Sequence, residues 1–109
     1  MNKKYDRFHE DIAKVNQQED RIREALEQRF QASKRGEQTG KYDYLLNNGV
    51  ESLKDELKNM EKLEYIYKNE PHNTPDIGAK EREKRLAKIR ETRERVIDLM
   101  SRVKVVSNT

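Results

Sequence analysis

Apolar residues recur along most of the chain at steps of three and four, with polar residues filling the intervals. Tyr5, Phe8, Ile12, Val15, Ile22, Leu26 and Phe30 keep this step, with Glu19 as one polar gap. Such spacing puts side chains on one side of an α-helix. Lys34 and Arg35 suit the negative end of that helix, and Gly36 can take the left-handed backbone that terminates it. A second series runs Leu46, Val50, Leu53, Leu57, Met60 and Tyr67, widened by Leu63 and Ile66. A leucine at the centre of such a stripe, as Leu57 is, costs about 2–5 kcal/mol to truncate to alanine when it belongs to a core. A third series runs Leu86, Ile89, Val96, Met100 and Val103, with Ile77 and Ala79 ahead of it and Arg93 breaking it.

Two breaker-rich stretches separate the series: SKRGEQTG at residues 33–40 and NEPHNTPD at residues 69–76. The pattern predicts helices over about residues 3–35, 41–69 and 75–105, each about 45 Å long at the α-helical rise. The third has the clearest start, with Thr74 as a cap, Pro75 at the first helical position and Asp76 at the positive end. The tail Ser107, Asn108, Thr109 is expected to fray. Asn47-Asn48-Gly49 admits two readings. Either the second helix runs through it, at a cost of about 1 kcal/mol for the glycine, or that helix begins at Val50. Long helices joined by short loops fold most simply as an antiparallel up-down-up three-helix bundle, all-α and one domain over residues 1–109.

Composition agrees. Of the 109 residues 32% are apolar and 41% charged, so a core is possible only if the apolar positions concentrate on narrow stripes. A net charge of only +3 and the regular spacing argue against disorder. The absence of cysteine excludes disulfides, thiolate nucleophiles and cysteine zinc sites. No apolar run approaches the roughly 18 residues of a membrane span, and the opening MNKKYDRFHE lacks the core of a signal peptide. His9 and His72 have no second histidine or spaced carboxylate to make a metal site or triad. Glu19-Asp20 and Asp55-Glu56 stand among cations at helical spacing and read as solvent-face ion pairs. No catalysis, cofactor, metal or small-molecule substrate is expected.

Charge is unevenly distributed. Residues 1–40 carry nine basic and eight acidic side chains, residues 41–76 five and eight, and residues 77–109 ten and five. An acidic second helix beside a basic third is one structural explanation. The other takes KEREKRLAKIRETRER, residues 80–95, as a docking stripe whose cations are Lys80, Arg82, Arg85, Lys88, Arg90 and Arg93. Interspersed glutamates and the lack of interleaved aromatics argue against nucleic acid as a partner. Tyr65 and Tyr67, on different sides of the second helix, are either rim-of-core residues or interface residues.

The stretch NNGVESLKDELKNMEKLEYI at residues 47–66, the NEP break at residues 69–71, and a third helix opening near Ile77 and running to Val103 resemble the N-terminal (Habc-type) domain of Qc-SNAREs, the Golgi–endosomal syntaxins. The opening MNKKYDRF stands where that family has an acidic-proline-aromatic start. The resemblance implies a three-helix bundle on the cytoplasmic face of Golgi or endosomal membranes. It further implies a role in vesicle docking and membrane fusion through protein partners: SNARE helices, tethering factors or Sec/Munc-type regulators. Membrane association would come through a C-terminal anchor beyond residue 109. Two other readings stay open. One is a self-associating coiled-coil scaffold, which the polar gaps at Glu19, Glu64 and Arg93 disfavour. The other is a basic helical nucleic-acid-binding domain.

Overall fold

The structure is a computed structural model and describes residues 7–107. Three long helices and no strand occur among the described residues: α1 (Phe8–Lys34), α2 (Gly40–Asn69) and α3 (Ala79–Ser107). They form a helical bundle 57 × 21 × 17 Å, a rod in which every interface runs lengthwise. The broadest interface is between α1 and α2, while α3 lies mainly along α2. Tyr5, a helix start at residue 3, and the tail at Asn108 and Thr109 lie outside the described residues. Ser107, expected to fray, is still helical.

The buried positions follow the stripes, with informative departures. Val15, Ile22, Leu46, Leu53, Met60, Leu63, Tyr67, Ile89, Val96 and Val103 make the core, as their spacing requires. Phe30 does not belong to it, being 56% exposed with the Lys34 ammonium 5.3 Å from its ring. The buried face of α1 runs through residues 8, 15 and 22 and through 11, 25 and 32, and Phe30 sits to one side of both rows. Ala25, Ala32, Leu99 and Thr92 fill the core positions that the apolar stripe alone does not name.

Local chemistry sets the helix ends. At the end of α1 the Glu37 N–H donates to Ala32 O (2.9 Å) and the Gly36 N–H to Ser33 O (3.0 Å). This paired closure needs a left-handed residue, and Gly36 supplies it at φ 72°. Arg29 then reaches across to Asp43 (2.6 Å), which also accepts from the Thr39 hydroxyl (3.2 Å), fixing the start of α2. At the second corner the expected cap fails. The Thr74 hydroxyl is used as a donor to Pro71 O (3.2 Å), closing a single 3-10 turn over Pro71–Asn73. A further turn follows, and the first α-helical bond of α3 is from the Arg82 N–H to Gly78 O (2.9 Å). The third helix therefore starts at Ala79, four residues later than Pro75.

The second helix runs unbroken through Asn47-Asn48-Gly49. Its glycine has a packing reason. A Cβ at residue 49 would lie 2.7 Å from Ile22 Cγ1 and 3.0 Å from Cδ1, so the missing side chain is what lets α1 approach. Gly49→Ala should therefore lose about 1–2 kcal/mol by chemical denaturation, because overpacking outweighs the roughly 1 kcal/mol of helix propensity gained. In an Ile22→Ala background the same change should be neutral or stabilising, since the new methyl enters the space vacated.

Asp11 is a second cost, on the buried side of α1. It is 3% exposed, its Oδ1 accepts no hydrogen bond, and Arg7 Nη2 stands 3.9 Å away. Burial pushes its pKa above the ordinary 3.8, against the smaller opposing pull of Arg7 and Lys14. A folded-state pKa above the unfolded one means the contribution is full below pH 3.8 and lost as pH rises through the raised value. Urea midpoints should fall across that acidic window, and Asp11→Asn should flatten the fall and raise stability at neutral pH.

Candidate docking grooves

The cations that the sequence groups into one stripe are dispersed by the helix. Lys80 and Arg90 are exposed, and Lys88 is half-buried. Arg82 turns back on the corner, its Nη2 donating to Ile77 O (3.2 Å). Arg93 crosses to Glu64 at 2.8 Å, so the two polar gaps of the second and third stripes neutralise each other. Lys88 lines a hollow between α1 and α3 with Asn16, Arg23 and Arg95, whereas Arg90 and Arg93 line one between α2 and α3. No single docking stripe results.

Two of the expected contact residues are interior. Tyr67 is 1% exposed and Arg85 8%. The Arg85 guanidinium lies 5.0 Å from the Phe8 ring centre and 5.9 Å from that of Tyr67, donates to Tyr67 Oη (3.1 Å) and pairs with Glu81 (3.2 Å). Burial lowers its pKa, the hydrogen bonds with Tyr67 and Glu81 outweigh that effect, and the net shift is upward. A cation held this way joins all three helices, so Arg85 and Tyr67 are corrected from docking residues to core residues. Tyr65, 59% exposed, is the tyrosine of that pair left outside.

Glu19 is a further correction. It is 4% exposed rather than on a solvent face. Arg95 grips it from α3 with Nε at 2.8 Å and Nη2 at 2.8 Å, and the same guanidinium donates to Asn16 Oδ1 (3.1 Å). The hydrogen bonding that Arg95 donates to Glu19 is the main reason its pKa is raised. Fork geometry of this kind needs arginine and carboxylate at one level on two helices.

Besides a hollow between α1 and α2 lined by Arg21, Gln28, Leu45 and Ser52, the outer side of the α2–α3 seam is open. Toward its Met100 end lies a hollow of about 520 Å³ with Val50, Ile97 and Met100 in its floor and Glu51, Lys54 and Lys104 at its edges. Ile97 is 49% exposed, and Val50 and Met100 are half-buried. Toward the Tyr67 end a second hollow has Leu86 and Ala87 between Lys68, Glu83, Arg90 and Arg93. The first, a trough with an apolar floor and charged rims, is separate from the second, whose lining includes the Glu64–Arg93 ion pair. Sequence reasoning places Met100 and Val50 in the core and passes over Ile97, whose only signal is standing next to Val96, one step off the stripe. Among the described residues no group of three or more His, Cys, Asp or Glu side chains could hold a metal ion, and no helix is long and apolar enough to cross a membrane. His9 is exposed against Phe8, edge to face at 5.1 Å, and His72 is exposed in the 3-10 turn. Comparison with protein families, curated proteins and solved structures gives no match.

Proposed function

We propose that the chain is a regulatory interaction domain of the Qc-SNARE N-terminal type, working in vesicle docking and membrane fusion at Golgi or endosomal membranes by binding protein helices. The observation that carries this reading is the trough between α2 and α3, where Val50, Ile97 and Met100 stay accessible along a seam flanked by charges. An amphipathic helix lays its apolar side into such a groove and places its polar edges on the rims. The long second helix and the tight corner after Asn69 fit the same reading.

The reading includes the up-down-up order of the helices. Supporting it, Ile22 meets Gly49 while the later Arg29 meets the earlier Asp43. Likewise Tyr67 meets Arg85 while the earlier Glu64 meets the later Arg93. Phe8 with Arg85 and Glu19 with Arg95 run in the same sense, as first and third helices do in that order.

Two measurements test the proposal. Coding sequence past residue 109 should continue into a heptad segment with a central glutamine and then about 20 apolar residues. An unrelated domain there overturns it. Synthetic SNARE-core helices of Golgi–endosomal type, followed by fluorescence anisotropy, should bind the purified chain and lose at least about tenfold in affinity with Ile97→Glu. Tyr65→Ala should bind as the parent does. Binding indifferent to Ile97→Glu removes the trough from the mechanism.

A further inference from the structure

The chain contains one Asn–Gly pair, Asn48–Gly49, in the first third of α2. Asn48 is exposed and borders hollows on both flanks of α2, while Gly49 is buried against Ile22. The pair joins a reactive amide to the least hindered backbone nitrogen available. Packing forbids the usual remedy, since a β-carbon at residue 49 would collide with Ile22 at 2.7 Å.

We propose that Asn48 is a latent deamidation site, kept inert by the closed α2 helix and released when that helix opens. In the reaction the deprotonated Gly49 amide nitrogen attacks Asn48 Cγ. The new C–N bond closes a five-membered succinimide, the Cγ–Nδ2 bond breaks, and ammonia leaves carrying a proton. Water then opens either carbonyl, giving an aspartyl residue or an isoaspartyl linkage, with no change in oxidation state. The folded chain blocks the first step twice. An α-helix commits the N–H of residue 49 to the carbonyl four residues back, and helical backbone angles direct the Asn48 side chain away from that nitrogen. Burial of Gly49 under Ile22 also keeps hydroxide from its N–H.

The isoaspartyl product does not fit back. An isoaspartyl linkage adds a methylene to the main chain, so the hydrogen-bond ladder of α2 loses its step where α1 comes closest. Modification is therefore a one-way record of opening, and its isoaspartyl form disables the domain rather than decorating it. This inference rests on α2 and its contact with α1, independently of the trough.

The test incubates the full chain in mildly alkaline buffer, with and without guanidinium, and follows ammonia loss by intact mass and peptide mapping. In denaturant the first modified residue should be Asn48, and Asn48→Gln should eliminate that product. Without denaturant the reaction should be at least about tenfold slower, because only the opened fraction reacts. Leu53→Ala, which raises the opened fraction, should accelerate it in buffer and leave the rate in guanidinium unchanged. Equal rates in the two solvents, or another asparagine reacting first in denaturant, overturn the proposal.

Discussion

Leu53→Ala should cost about 2–5 kcal/mol in a urea or guanidinium unfolding experiment, with the midpoint falling at nearly constant slope. Leu53 is fully buried in the α2 face that meets both other helices, among Val15, Val96 and Met60, all of them at 0% exposure. Removing its three outer carbons loses their transfer free energy and leaves a cavity that three packed helices cannot fill by rotating one rotamer. Leu57, one turn on and equal to Leu53 in the pattern of the sequence, is a control. It is only half-buried against the core, so Leu57→Ala should lose about 1–2 kcal/mol, below the range its stripe position alone implies. Equal losses at the two positions would mean that the rotation of α2 about its axis is wrong.

Arg95→Ala should destabilise the fold by about 2–3 kcal/mol. The Glu19 side chain is 5% exposed and loses its two-pronged partner, keeping only Arg23 at 3.6 Å. Breaking a buried pair from one side costs about 3–5 kcal/mol, and the partial solvent access of Arg95, 34% exposed, reduces that here. The double replacement of Glu19 and Arg95 by leucine should return close to parental stability, because it removes the stranded charge along with its partner. A double-mutant cycle with alanines should give a coupling of about 1–3 kcal/mol. A coupling near zero would show that the carboxylate is hydrated and that the cross-helix grip is incidental.

The helices were legible because a three-and-four step has one simple explanation, and Gly36 marked a terminus that it does make. The polar gaps were not. Glu19, Glu64 and Arg93 interrupt stripes when each helix is read alone, and become partners only when helices are laid side by side. Thr74 carried every mark of a cap, yet the Ile77 N–H closes a further turn on Thr74 O before α3 begins, a corner that periodicity does not register. The candidate site was the least legible part. A row of lysines and arginines looks like one surface in a linear string, but winding sends Arg85 inward, Arg93 to α2 and Lys88 toward α1. Ile97 shows the converse problem, since exposure of an isoleucine depends on how far the neighbouring helix extends over it.

The Glu19–Arg95 and Glu64–Arg93 couples also restrict how such a rod can change in length. Adding seven residues to α3 ahead of Arg93 would leave every greasy position facing inward and still carry both arginines a full two turns past their carboxylates. Descendants of this chain can therefore grow or shrink freely only in the connectors, residues 35–39 and 70–78, where an extra residue costs little closure entropy. A relative with residues added to α3 ahead of Arg93 must have lengthened α1 ahead of Glu19 and α2 after Glu64 to match.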